Sequence, residues 1–367
     1  MKLINTLFFA ISLILLSACQ EPIVDNFENN PQCQFFNSRT TKPDYPNKDT
    51  IKVMTFNIRF GIGSQILWFA DACSDRTIYT NDEIFGALDA IVKVLEAEQP
   101  DIVFLQEVDS KSKRTGYIDE LQYLLDKSYF KYSLYGSQWS SQFIASDGLG
   151  RMNVGNAILS RWPIKNPGFI ILPERGDIDY LTSIFYDREN IIYGDVQMPD
   201  GTYFRAINTH ISAFSTDGTK KVQVQIYYDL LKEFKSKSIQ FVTGGDFNLL
   251  PPNSDSSDYC DEDMCSSEHY HRINDTPFHK DGSNYLPEMS WLQPLFDDFN
   301  CSMDLNKYFL NQSSYFTHTT LPKSFWDRTL DYLFASSPWI ENSHQALQKY
   351  RNESDHAPVT AKWVRSK

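Results

Sequence analysis

Gly244-Gly245-Asp246-Phe247-Asn248 follows closely on the apolar run Ile239-Gln240-Phe241-Val242 and sets an acid and an amide two positions apart. Side chains two apart on a strand face the same way, so Asp246 and Asn248 offer a carboxylate and a carboxamide together at the end of a buried strand. Such a pair is costly in an apolar core unless every polar atom is satisfied. Four other strand-like runs are bounded in the same manner. Asn57 follows residues 51–56, Glu107 follows 101–106, His210 follows 204–209, and Asp355-His356 precede the apolar stretch 358–364. Packing alone does not call for a polar group at the edge of each of these runs.

Between the strand-like runs lie helical ones. Thr80-Asn81-Asp82-Glu83 has the form of a capping box, and Ile84, Leu88, Ile91, Val92 and Leu95 recur at helical spacing until Gln99-Pro100 ends the run. Val222, Ile226, Leu230 and Phe234 form a second stripe, between the strand ending near His210 and the strand ending at Asp246. Both stripes read as helices packing on a sheet, which makes the chain an α/β layered protein with its functional groups gathered where strands end. No Gly/Ser-rich linker divides residues 49–367, and a 41% hydrophobic content can fill one large core, so a single domain is expected there.

Residues 1–19 have a basic start at Lys2, an apolar run over 3–16 and the ending Leu16-Ser17-Ala18-Cys19. This describes an export signal rather than a spanning helix, and its last four residues resemble the lipobox of bacterial lipoproteins, with Cys19 as the lipidated residue. The expected product is an exported, membrane-anchored lipoprotein at the outer membrane or cell surface, with residues 20–48 as a flexible tether; ordinary secretion is the alternative. Export permits disulfides. Cys260 with Cys265 closes a short loop, and Cys33 with Cys73 is the other pairing considered. Both close cysteines lie in an acidic insertion, 251–289, read as a solvated surface loop beside the site. Zinc on Cys260, Cys265, His269 and His271, or a structural calcium among the acids, is a weaker reading of it. The net charge of −13 weakens non-specific attraction to nucleic acid, without excluding a nuclease whose metal offsets the charge locally.

Seven blocks then occur in order. They are Thr55-Phe56-Asn57-Ile58-Arg59, Leu105-Gln106-Glu107, Gly155-Asn156-Ala157-Ile158-Leu159-Ser160, Asn208-Thr209-His210, Gly245-Asp246-Phe247-Asn248, Leu330-Asp331-Tyr332-Leu333 and Ser354-Asp355-His356. Together they make the chain resemble the endonuclease/exonuclease/phosphatase superfamily over residues 51–364. The resemblance implies a four-layered α/β sandwich like that of DNase I, two central mixed β-sheets flanked by helices, with the site at one rim. It also implies hydrolysis of phosphate esters with Mg²⁺, for which Mn²⁺ could substitute.

On that basis Glu107 is the expected principal metal ligand, with Asn57 beside it and Asp355 contributing directly or through water. Asp246 would align and deprotonate the attacking water. Asn248 and His210 would donate to the phosphoryl oxygens, and His356 would stabilise the pentacoordinate state or shuttle a proton, with Asp331 holding its imidazole. Asn156 and Arg59 are the expected substrate contacts; Arg151 and Arg161 are the other arginines near the blocks. The expected partners are a phosphate-ester substrate, in a nucleic acid or a phospholipid headgroup, and a membrane through the lipid anchor, with no obligate protein partner. A phosphodiesterase is favoured. A phosphomonoesterase of the inositol-phosphate type and a non-catalytic surface binding protein are the alternatives.

Overall fold

The computed structural model describes residues 32–66, 74, 76–144, 148–180, 183, 186, 188–260, 262–263, 282–320 and 326–365. Cys19 and the rest of the export segment lie outside them, as do Cys73, Cys265, His269 and His271. No helix among the described residues is long and apolar enough to cross a membrane.

Two mixed sheets form the centre. The first contains β1 (Gln34–Asn37), β2 (Thr50–Asn57), β3 (Ile102–Asp109), β4 (Tyr132–Ile144), β5 (Gly148–Ser160), β12 (Gln345–Ala346) and β13 (Val359–Val364), in the order β1-β4-β5-β3-β2-β13-β12. The second contains β6 (Ile164–Ile171), β7 (Asn190–Gln197), β8 (Tyr203–His210), β9 (Phe241–Asp246), β10 (Asn300–Cys301) and β11 (Asp331–Ala335), in the order β10-β11-β9-β8-β7-β6. Helices α1 (Asn81–Glu98) and α2 (Glu120–Lys127) cover the outer face of the first sheet, and α3 (Thr219–Ser236) with α4 (Gln293–Asp298) covers that of the second. The result is helix, sheet, sheet, helix: the expected four layers.

Strand alternation builds the middle of the sandwich. Ile51 and Val53 of β2 and Ile102 and Phe104 of β3 face the second sheet, whereas Met54, Phe56, Val103 and Leu105 face the helices. Ile192 of β7, Ala206 of β8, Val242 of β9 and Leu333 of β11 answer from the other side. Each sheet contains one parallel pair, β2/β3 and β8/β9, and each pair is joined by a helix, α1 or α3. Their antiparallel neighbours β13 and β11 begin at the end where the parallel strands finish. Four strand ends and two strand starts are thereby brought to one rim of the sandwich.

The capping box forms as expected, with Glu83 N donating to the Thr80 hydroxyl and Thr80 N to the Glu83 carboxylate. The second stripe holds in part: Leu230 and Phe234 are buried and Ile226 packs on the same core, but Val222 is exposed, and the buried face of α3 also takes in Lys220, Gln223, Val224, Tyr227 and Leu231. A search for apolar spacing passes over Lys220 and Gln223, which are buried because polar partners receive them. The tether expected over 20–48 is also corrected in its second half. β1 pairs with β4, Arg39 N donates to Asp126, Tyr45 hydroxyl to Tyr129 O and Lys48 Nζ to Asp101, so residues 34–48 are fastened along the domain. Cys33 carries a free thiol that donates to Gly168 O at 3.4 Å, and burial pushes its pKa up to about 12.

Candidate active site

The inward-facing positions that are apolar in mid-sandwich become polar at the rim. Asn57, Asn156, His210, Asp246 and Asp331 stand in phase with Val53, Ile158, Ala206, Val242 and Leu333 on their own strands. Glu107 is the exception. A register shift between Leu105 and Val108 opens a bulge in which Glu107 takes a φ of 55°, re-aiming its carboxyl into the pocket. At the rim Asn57 Nδ2 donates to Glu107 Oε1 at 2.9 Å on its own sheet and to Asp246 Oδ2 at 3.1 Å on the other.

Asp246 is the electrostatic centre. His210 Nε2 and His356 Nε2 each lie 3.5 Å from its Oδ2. Burial alone would raise its pKa, but the His356 and His210 charges and the Asn248 amide hold it down at about 2. His356 Nδ1 lies 2.8 Å from Asp331 Oδ2. Burial works against the imidazolium, yet Asp331 and Asp246 raise it to about 10. His210 behaves alike: burial opposes its charge, and Glu189, Asp246 and Glu107 hold its pKa well above the ordinary histidine value. Burial raises the Glu107 carboxyl to about 7, with His210 opposing and Asp355 adding to the rise.

A histidine whose folded pKa lies above its ordinary 6.5 gives stability that is fully present below that pH and is lost as pH rises through about 10. In EDTA, the urea midpoint is therefore expected to decline between about pH 7 and about pH 10 more steeply in the wild type than in His356→Asn. Parallel curves would contradict the ion pair.

Asn248 takes a φ of 48°, its amide N donating to Asp246 Oδ1 at 2.9 Å. Its Nδ2 reaches Ile211 O at 2.8 Å and His210 Nε2 at 3.2 Å. Asp355 lies 3.4 Å from Arg59 Nε, and Asp331, His356, Asp246, Glu107, His210 and Asn248 surround the same space. The residues expected to act on water and on the phosphoryl group are thus brought together.

Three of the expected residues are engaged with neighbours in the structure. Asn57 Oδ1 accepts from Arg59 N at 3.0 Å and its NH₂ faces the carboxylates, so in this structure it bridges Glu107 and Asp246. Arg59 is 2% exposed and donates to Gly63 O and Ile66 O, so it shapes the loop after β2 and steadies Asp355 instead of meeting substrate. Asn156 is fully buried, with Nδ2 bonded to Asn190 Oδ1 at 2.9 Å, and is part of the wall. Arg161 is likewise occupied, paired with Asp101 and stacked on Tyr129.

Four residues escaped sequence reasoning. Glu189 lies 3.8 Å from His210 Nδ1 and Asn190 supports Asn156; both precede or begin β7, with no motif to mark them. His318 packs its ring 4.4 Å from that of His356. Lys220 lies beneath Asn248.

The donor set fits a divalent cation. Glu107 and Asp246 offer carboxylate oxygens within 4.8 Å of one another, and no lysine or arginine among the described residues forms an ion pair with Glu107. Hard cations favour such carboxylate oxygens.

The sequence profile of the Endonuclease/Exonuclease/phosphatase family matches residues 54–356, the span that contains every one of these side chains. The chain belongs to that family. Solved structures similar to this family member include an endonuclease/exonuclease/phosphatase from Beutenbergia cavernae, with 18% identity, 86% of this chain and 71% of that chain covered and a TM-score of 0.53. Others are the human nocturnin catalytic domain with bound sulfate (15%, 91% and 98%, 0.49) and a mannosyl-6-phosphatase of Bacteroides thetaiotaomicron (16%, 85% and 98%, 0.45). At these identities the likeness is one of fold. No curated protein matches the chain by sequence.

Proposed function

We propose that this family member is a divalent-metal-dependent hydrolase of phosphate esters, acting on phosphodiesters in preference to monoesters. The observation that carries the reading is Asp246 Oδ2 placed 3.5 Å from two imidazoles and 3.1 Å from the Asn57 amide, beside the carboxylate of Glu107. Four carboxylates, Glu107, Asp246, Asp331 and Asp355, surround the pocket against the two imidazoliums, and they would repel a dianionic monoester more than a monoanionic diester. That charge balance favours the diester.

Glu107 and Asp355 would hold Mg²⁺ or Mn²⁺, and the bound ion would neutralise charge developing on the phosphoryl oxygens. The chain's own groups do the rest. His210 and His356 would donate N–H groups where that charge develops, with the Asn248 amide beside them turning one of its hydrogens from His210 to a phosphoryl oxygen. Asp246 orients the attacking water. A carboxylate held at about 2 is a feeble proton acceptor, but substrate changes its surroundings. As phosphoryl oxygens engage His210 and His356, the charges holding Asp246 down are shared, so it takes the water proton as the new P–O bond forms, while the bond to the leaving oxygen breaks and that oxygen takes its proton from His356.

Hydrolysis of bis-p-nitrophenyl phosphate tests this. Turnover with Mg²⁺ or Mn²⁺ is expected, with its loss in EDTA and recovery on adding excess Mg²⁺. Equal turnover in EDTA would count against a metal, and none under any condition would favour a binding protein.

A further inference from the structure

The insertion that reads as a solvated acidic loop buries two of its carboxylates. Asp263 is 1% exposed and receives both terminal nitrogens of Arg328, at 2.9 and 2.7 Å. Glu288 is buried and lies 2.6 Å from Lys220 Nζ, which has no solvent exposure. Two tyrosines of the insertion complete the enclosure: the Arg328 guanidinium sits 3.9 Å from the Tyr259 ring centre, and Lys220 Nζ 5.0 Å from that of Tyr285.

Each of these cations belongs to the body of the domain and is bonded to a segment that presents active-site groups. Lys220 Nζ donates to Asn248 O at 3.1 Å, at the left-handed turn that aims the Asn248 amide. Arg328 O accepts from the Thr317 and His318 amides at 2.7 and 3.0 Å. Thr317 Oγ1 in turn accepts from the Leu330 and Asp331 amides, and Thr317 O accepts from Ala357 N at 2.6 Å. Arg328 is therefore tied through one short segment to His318, to Asp331 and to the residue after His356. Ion pairs this deeply buried are poor sources of stability compared with well-packed apolar groups. Bidentate geometry fixes orientation, and here it fixes the supports of the reacting groups.

The geometry points to the insertion as a positioning device for the active site. Asp263, acting through Arg328, holds the segments that present Asp331 and His356, and Glu288, acting through Lys220, holds Asn248. The inference rests on the hydrolase reading given above. Both carboxylates are positioning residues, removed from the reacting atoms by a cation and a stretch of backbone.

Asp263→Asn removes the charge at constant shape. Its kcat on bis-p-nitrophenyl phosphate is expected to drop by ~10- to ~100-fold with KM within about threefold, since a displacement on the order of 1 Å costs that much; Asp263→Glu should recover part of the loss. The deciding comparison is made in Asp331→Asn. There Asp263→Asn should change kcat by less than about twofold, because the geometry it protects is already lost. The same loss in both backgrounds, or a lower Tm with kcat unchanged, would overturn the inference. Should Asp263→Asn not fold, the uncharged pair Asp263→Leu with Arg328→Met replaces it: a reduced kcat supports positioning and an unchanged one overturns it. If the wild type hydrolyses nothing, the hydrolase reading fails separately, and hydrogen exchange of the Phe247 and Asp331 amides decides. Faster exchange in Asp263→Asn supports positioning, and wild-type protection overturns it.

Discussion

Asp246→Asn is expected to reduce kcat by about 10³- to 10⁴-fold while the protein stays folded. The substitution keeps the shape of the side chain and removes the one negative charge that lies 3.5 Å from both His210 and His356. Two things are lost together: the acceptor for the water proton and the field that keeps the two imidazoles charged. His356 retains Asp331 at 2.8 Å and His210 retains Glu189 at 3.8 Å, so the rings keep their places. The fold should therefore survive with a modest change in Tm. Steady-state rates on bis-p-nitrophenyl phosphate, read beside circular dichroism, check both halves. A variant within tenfold of wild type would remove Asp246 from the chemistry.

Gly245→Ala should destabilise the protein by about 3 kcal/mol or more, among the largest effects of a single methyl group. Gly245 has a φ of 155°, which side-chain-bearing residues rarely adopt, and a Cβ there would stand 1.9 Å from Thr209 O on β8. Gly244 is crowded on the other side, its Cβ position 2.5 Å from Tyr332 O on β11. The two glycines let β8 and β11 close on β9 just before Asp246, so Ala at 245 would pry apart the strands that carry His210 and Asp246. Urea denaturation measures the loss. A change under about 1 kcal/mol would mean that β8 can move aside at little cost.

Much of the site was legible because strand periodicity is strict. Once residues 51–56, 102–106, 204–209 and 239–243 are read as strands, the phase that buries Val53, Phe104, Ala206 and Val242 also aims Asn57, His210 and Asp246 the same way. What that reasoning missed depends on contacts between distant segments. Asn57 and Arg59 have the right types for a ligand and a phosphate contact, but their partners, the Arg59 amide and the Gly63 and Ile66 carbonyls, appear only when the loop after β2 coils back. Lys220 and Asp263 are ordinary surface types until buried partners from elsewhere in the chain meet them. Residues 34–37 look like linker because strand pairing along an edge depends on β4, about a hundred positions later.

The Asn57 amide has a consequence beyond bridging two carboxylates. It reaches from one sheet to an acid on the other, so the gap between Glu107 and Asp246 is set by how the two sheets stack. The apolar side chains sandwiched below, Phe104, Leu134, Ile192 and Val242 among them, thereby act as spacers for the chemistry. Altering their bulk is expected to change the Glu107–Asp246 distance from below, with neither acid substituted.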